Sequence, residues 1–92
     1  MEMMKQAAML EEHLTQVESR LALMESMERD PSQDLPMDFH DRLGQVRMLM
    51  EIAREKLGLA EMAGEDAWEG FHSGVEFACK EVDKAASRIK PN

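Results

Sequence analysis

Ala60-Glu61-Met62-Ala63-Gly64-Glu65-Asp66-Ala67-Trp68-Glu69 is the stretch whose reading decides the fold. If the chain turns here, the residues on either side form two helices lying side by side. If it runs straight on, they form one long rod. Gly64 is a natural C-terminal cap and Asp66 a natural N-cap, with Glu69 completing Asp-x-x-Glu, so the local chemistry favours a turn. The apolar spacing permits the rod. From Ala53 the steps run through Leu57, Ala60, Gly64, Trp68 and Phe71, and one inserted step of four residues, a stutter, would carry a single helix from Asp38 to Lys90. Such a helix would span roughly 80 Å at 1.5 Å per residue, about twice the reach of the segment before it, and would require a second chain.

Upstream of this stretch, Phe39, Leu43, Val46, Met50, Ala53, Leu57 and Ala60 step alternately by four and three residues. That spacing keeps apolar side chains on one seam of a helix packed against other helices. Met48, Ile52, Leu59 and Met62 fall outside the seam, on nearly the opposite side, and need cover from something else. Gly44 and Gly58 interrupt the same segment at about 1 kcal/mol each relative to Ala, which either permits close helix approach or leaves the helix unoptimised.

The segment before it repeats the pattern with Met3, Ala7, Leu10, Leu14, Val17, Leu21 and Met24, while Glu11, Glu12, Glu18 and Glu25 lie mostly off the seam. Glu2 with Gln6 and Glu18 with Ala22 are not opposite-charge pairs, so the surface is not tiled with one-turn ion pairs. Between the two segments Asp30-Pro31-Ser32-Gln33-Asp34-Leu35-Pro36-Met37 breaks the period, because proline disfavours helix for the residue before it. Asp38, with Asp41 three residues on, then suits a helix start; Asp34 capping a start at Leu35-Pro36 is the alternative.

After Gly64, Trp68, Phe71, Val75, Ala78, Val82, Ala85 and Ile89 form a third seam, closing on Lys84, Arg88 and Lys90 before Pro91. The sequence thus predicts an all-α single domain over 1–92, an antiparallel up-down-up three-helix bundle with helices at about 3–29, 38–63 and 66–89. Their similar lengths favour this over the alternative, a dimeric helical hairpin with one long C-terminal helix.

Composition narrows the function. With 19 acidic residues against 11 Lys and Arg the formal charge is −8, which repels nucleic-acid phosphates and anionic membranes. No nucleic-acid or membrane partner is expected. Cys79 is the only cysteine, so there is no internal disulfide and no cysteine-based metal knuckle, as suits a reducing cytoplasm. The first ten residues lack a signal-peptide apolar run, and no membrane-spanning run occurs.

Ala63-Gly64-Glu65-Asp66-Ala67-Trp68-Glu69, Gly74-Val75-Glu76 and Ala85-Ala86-Ser87-Arg88-Ile89-Lys90 together resemble the C-terminal helix of small bacterial coiled-coil proteins, often described as stress-induced or uncharacterised. Ile89 stands where those proteins carry an aromatic residue, and Phe77 to Lys80 departs from their charged-Ala-Trp run. The resemblance covers about a third of the chain and implies a soluble bacterial helical protein without catalytic residues.

The residues capable of chemistry are few. Glu69 and His72 form one Glu-x-x-His pair, which di-iron bundles use twice and supplement with further Glu. Set beside the Trp68–Phe71 seam, this pair is expected to face away from the bundle centre, so no metal is expected. His13 and His40 read as solvated, and Cys79 as a half-buried thiol with no base beside it. No glycine-rich phosphate loop is present. No catalytic residue, cofactor or metal is therefore expected, and the chain reads as non-enzymatic.

Ten methionines are the compositional oddity, and a Met-rich surface adapts to partners of varied shape. The off-seam residues Met48, Ile52, Leu59, Met62, Phe77, Leu23 and Met27 are the candidate partner-binding set. In a three-helix monomer the third helix is expected to cover some of the α2 residues among them and leave the rest exposed. The expected function is a helical interaction or self-assembly module, acting as a homodimer or on another protein. The alternative is an acidic, antitoxin-like inhibitor whose Glu11, Glu12, Glu18 and Glu25 mimic nucleic acid before a basic partner.

Overall fold

The computed structural model describes residues 2–89. The chain turns at Gly64. Three helices follow one another, α1 (Glu2–Arg29), α2 (Phe39–Ala63) and α3 (Glu65–Ser87), packed as an all-α three-helix bundle, and the described residues contain no strand. Lys90 and Pro91, expected to end the third helix, lie outside the described residues. The longest dimension is 51 Å, too short for the roughly 80 Å rod.

Gly64 alone separates α2 from α3, with φ 89° and ψ 173°. That combination is open almost only to glycine. Its N–H donates to the Glu61 carbonyl at 3.2 Å, and its carbonyl accepts from Ala67 N–H at 3.2 Å, so one residue closes α2 and opens α3. The expected start at Asp66 is corrected by one residue. Gly64 occupies the cap position itself, no side chain caps α3, and Asp66 sits with Glu65 in the first turn, where negative charge meets the positive end of the helix dipole.

The expected Asp38–Asp41 box is likewise absent. Asp38 does occupy the cap position of α2, but its carboxylate accepts from Arg42 Nε at 2.7 Å instead of capping a backbone N–H. In the α1–α2 connection Asp30 leaves the helix before Pro31, and its Oδ1 accepts from the Ser32 N–H at 3.0 Å and Oγ–H at 2.7 Å. Those two bonds hold its carboxyl below the usual carboxylate range. Leu35 folds back against the core from the same loop.

The α1 and α2 seams meet at the centre. Ala7, Leu14, Val17 and Leu21 are buried, with Met3, Leu10 and Met24 packed against them, and all seven seam residues of α2 are buried. The α3 seam is turned from the one expected. Trp68, Val75, Ala78, Val82 and Ile89 are buried as expected, but Cys79 and Ala86 are buried and His72 half-buried alongside them, while Phe71 is 53% exposed and Ala85 half-buried. Trp68 fills the core at that level, and the His72 ring stacks on it at 6.2 Å between centroids, leaving Phe71 outside.

The middle helix needs no second buried face. Three helices around a common axis each touch both others through one inward seam, so the α2 seam serves α1 and α3 alike. The expectation that α3 covers part of the second α2 set is therefore corrected: Met48, Ile52, Leu59 and Met62 are all exposed. Gly44 and Gly58 ease no close approach either, since a Cβ at either meets nothing within 4 Å. The packing of α2 against α3 is the most extensive of the three interfaces. No helix among the described residues is long and apolar enough to cross a membrane.

Candidate functional site

Charged pairs show which flank of each helix faces which neighbour. On α2, His40, Arg47 and Arg54 recur every seven residues and so share one flank. Arg54 donates from Nη1 to Glu11 Oε1 at 2.8 Å and from Nη2 to Glu18 Oε2 at 2.6 Å. Arg47 pairs with Glu25, and His40 Nδ1 lies 2.9 Å from Glu28 Oε1. The Glu28 hydrogen bond, reinforced by its charge, holds the His40 imidazole above the ordinary histidine range. This flank therefore faces α1. On α3 the flank toward α1 is marked by Asp83, whose Oδ2 lies 2.8 Å from His13 Nε2.

The remaining flanks of α2 and α3 face each other on the outside of the bundle. Half-buried Leu49 marks this flank on α2, and exposed Ile52 and Leu59 continue it; on α3 it carries Phe71, Ala78 and Ala85. Arg42 Nη1 donates to the Arg88 carbonyl at 2.7 Å, which together with the Gly64 turn fixes the register. Leu59 is then level with Phe71, and Ile52 level with Phe77 and Ala78. Met48 and Met62 extend the apolar surface along the back of α2.

Of the seven partner-binding residues singled out from the sequence, Met48, Ile52, Leu59 and Met62 are exposed on α2 and Phe77 is exposed on α3. Leu23 is exposed and Met27 half-buried, but Met27 follows Gln6 and His13 at seven-residue multiples and lies with Leu23 on the side of α1 toward α3. They belong to a different groove. Phe71 was missed. Arg47, Arg54 and Glu28 were missed as well, although the seven-residue spacing of Glu11, Glu18 and Glu25 against His40, Arg47 and Arg54 was a usable signal.

The potential chemical groups are tied into the fold. His72 is half-buried rather than turned away, a correction that follows from the rotated α3 seam; its Nδ1–H reaches the Glu69 carbonyl at 3.0 Å and the Trp68 carbonyl at 3.3 Å. Among the described residues no group of three or more His, Cys, Asp or Glu could hold a metal ion. Cys79 is buried rather than half-buried, and burial is the main cause pushing its thiol above the ordinary range, with Asp83 and Glu76 adding to it. A thiol so placed is a poor nucleophile. Beside Trp68 lies an open cleft lined by Met3, Gln6, Glu65 and His72.

Glu11, Glu18 and Glu25, three of the four carboxylates on which a nucleic-acid mimic would rest, are already engaged by Arg54 and Arg47. Comparison of the chain with protein-family models, curated proteins and solved structures found no match.

Proposed function

We propose that the chain is a non-enzymatic helical interaction module that works through the outer α2–α3 face, in a cytoplasmic setting. One observation carries the reading: Met48, Ile52, Leu59 and Met62 on α2 and Phe71 and Phe77 on α3 are all exposed, six large apolar side chains on the two helices of one hairpin. Scattered single apolar residues are ordinary on a protein surface, whereas a contiguous strip marks a place where another apolar surface is laid down. Stepping by four and three residues, Met48, Ile52, Leu59 and Met62 leave only Glu55 as a polar member of a second helical seam. Such a seam accepts an amphipathic element lying along it, either a second copy of the chain or another protein.

Light scattering over a concentration series, combined with photocrosslinking from position 52 in cell extract, tests the reading. Association that crosslinks through position 52 and disappears in the Ile52→Glu, Leu59→Glu variant is the expected result. A chain that stays monomeric at high concentration and crosslinks to nothing at this face would sink the proposal.

A further inference from the structure

Charge sets α1 apart from the helices it packs on. Within its bounds α1 carries six acidic residues against three Lys or Arg, α3 six against two, and α2 four against four. α1 and α3 therefore meet as like charges, and α2 supplies most of the cations that hold α1 down. Among the described residues the ion pairs that cross between helices are His13–Asp83, His40–Glu28, Arg47–Glu25, Arg54–Glu11 and Arg54–Glu18, and α1 is one side of all five. No side chain in them is less than 32% exposed. Pairs so placed stay hydrated and contribute little to stability.

The apolar contacts divide the same way. All seven seam residues of α2 are buried, whereas Met3, Leu10 and Met24 of the α1 seam are only partly so, and α2 packs more extensively on α3 than α1 does on either. Low burial and exposed polar contacts mark an element that opens locally, below the free energy of global unfolding. We propose that α1 is a strap that opens as a unit over an α2–α3 hairpin which stays folded, and that this opening is what uncovers Cys79. Cys79 is buried on α3 one turn before Asp83, the residue paired with His13, so α1 lies over it. The outer α2–α3 face plays no part in the motion, so the strap stands apart from the interaction reading above.

The probe is the rate at which a disulfide reagent labels Cys79 in the full chain, measured at low urea concentrations, beside global unfolding followed by circular dichroism. Because the slope on urea scales with the surface exposed, the opening that admits the reagent is expected to show a shallower slope and a smaller free energy than global unfolding. Arg54→Gln, which removes two of the five pairs, is expected to speed labelling by about threefold or more. In the charge-exchanged chain, Arg54→Glu with Glu11→Lys and Glu18→Lys, labelling is expected to be slower than in either half of the exchange alone. Gly64→Ala separates the two routes. It strains the link between α2 and α3 in the closed and the open form alike, so it is expected to lower the thermal midpoint while leaving the labelling rate without urea within about twofold.

Labelling with the slope and free energy of global unfolding would overturn the proposal, since α1 would then leave only when the whole chain unfolds. So would a Gly64→Ala chain whose Cys79 reacts faster in step with its lost stability. Labelling indifferent to urea and to Arg54→Gln would assign the access to a small local fluctuation of α3, and the strap would fall with it.

Discussion

Trp68 donates its indole N–H to Oε1 of Gln6, 62 residues earlier in the chain, and so fastens the first turns of α1 to the start of α3. The indole is buried, and its donor has few other places to go. Replacing Gln6 with Ala is expected to cost about 1–3 kcal/mol, the penalty for leaving a buried donor unpaired. Urea titration followed by Trp68 fluorescence measures it, and an unchanged midpoint would show that water takes the place of Gln6.

Gly64 and Gly58 should respond to alanine with opposite signs. At Gly64 the backbone occupies a region that side chains rarely enter, so Gly64→Ala is expected to destabilise by about 1–3 kcal/mol. Gly58 is helical with open space around it, and Gly58→Ala is expected to stabilise by about 0.5–1 kcal/mol. Paired thermal melts decide. A gain at both positions would mean that the chain runs on as a continuous helix.

His40 provides a pH signature. Its imidazole is held above the ordinary histidine range by Glu28, so protonated His40 favours the folded state. The contribution is complete below the unfolded-state pKa of about 6.5 and is lost as pH rises through the higher folded-state value. Because His40 is fully exposed, the expected effect on stability is slight, and the titration itself is the better reporter. An NMR titration should place the His40 midpoint above that of an unstructured histidine, and Glu28→Gln should bring it down. A midpoint unmoved by that substitution would contradict the pairing.

Cys79 should be slow to label. A buried thiol with a raised pKa offers little thiolate, so reaction with a disulfide reagent is expected to proceed only through opening of the bundle. Adding urea should raise the labelling rate steeply. Rapid labelling in native buffer would place Cys79 at the surface.

The seams of α1 and α2 were readable residue by residue because a step of four or three fixes an inward side chain regardless of what lies opposite. On α3 the same rule left two phases open, sharing Trp68, Val75, Val82 and Ile89. Hydrophobicity favoured Phe71 over His72 between them, and packing beside the Trp68 ring decided otherwise. The Arg54–Glu11 and Arg54–Glu18 pairs were harder to read, since the sequence does not say which flank of α2 turns to α1 and which to α3. The same ambiguity hid how the apolar residues divide between core and surface: Ile52 read as surplus and Phe71 as seam, yet both side chains are exposed.

The single-residue link at Gly64 also dictates an order of assembly. Residues facing each other across α2 and α3 are close in sequence near the turn, so those two helices can zip together outward from it with little loop-closure entropy, whereas α1 must first close a connection that includes Pro31 and Pro36. α1 is accordingly the helix expected to detach first, exchanging its amide hydrogens sooner than Val46 or Val82. While it is away, the inward seams of α2 and α3 lie open to any helix of similar pattern, and two chains that trade their first helices would form a dimer without using the outer face at all.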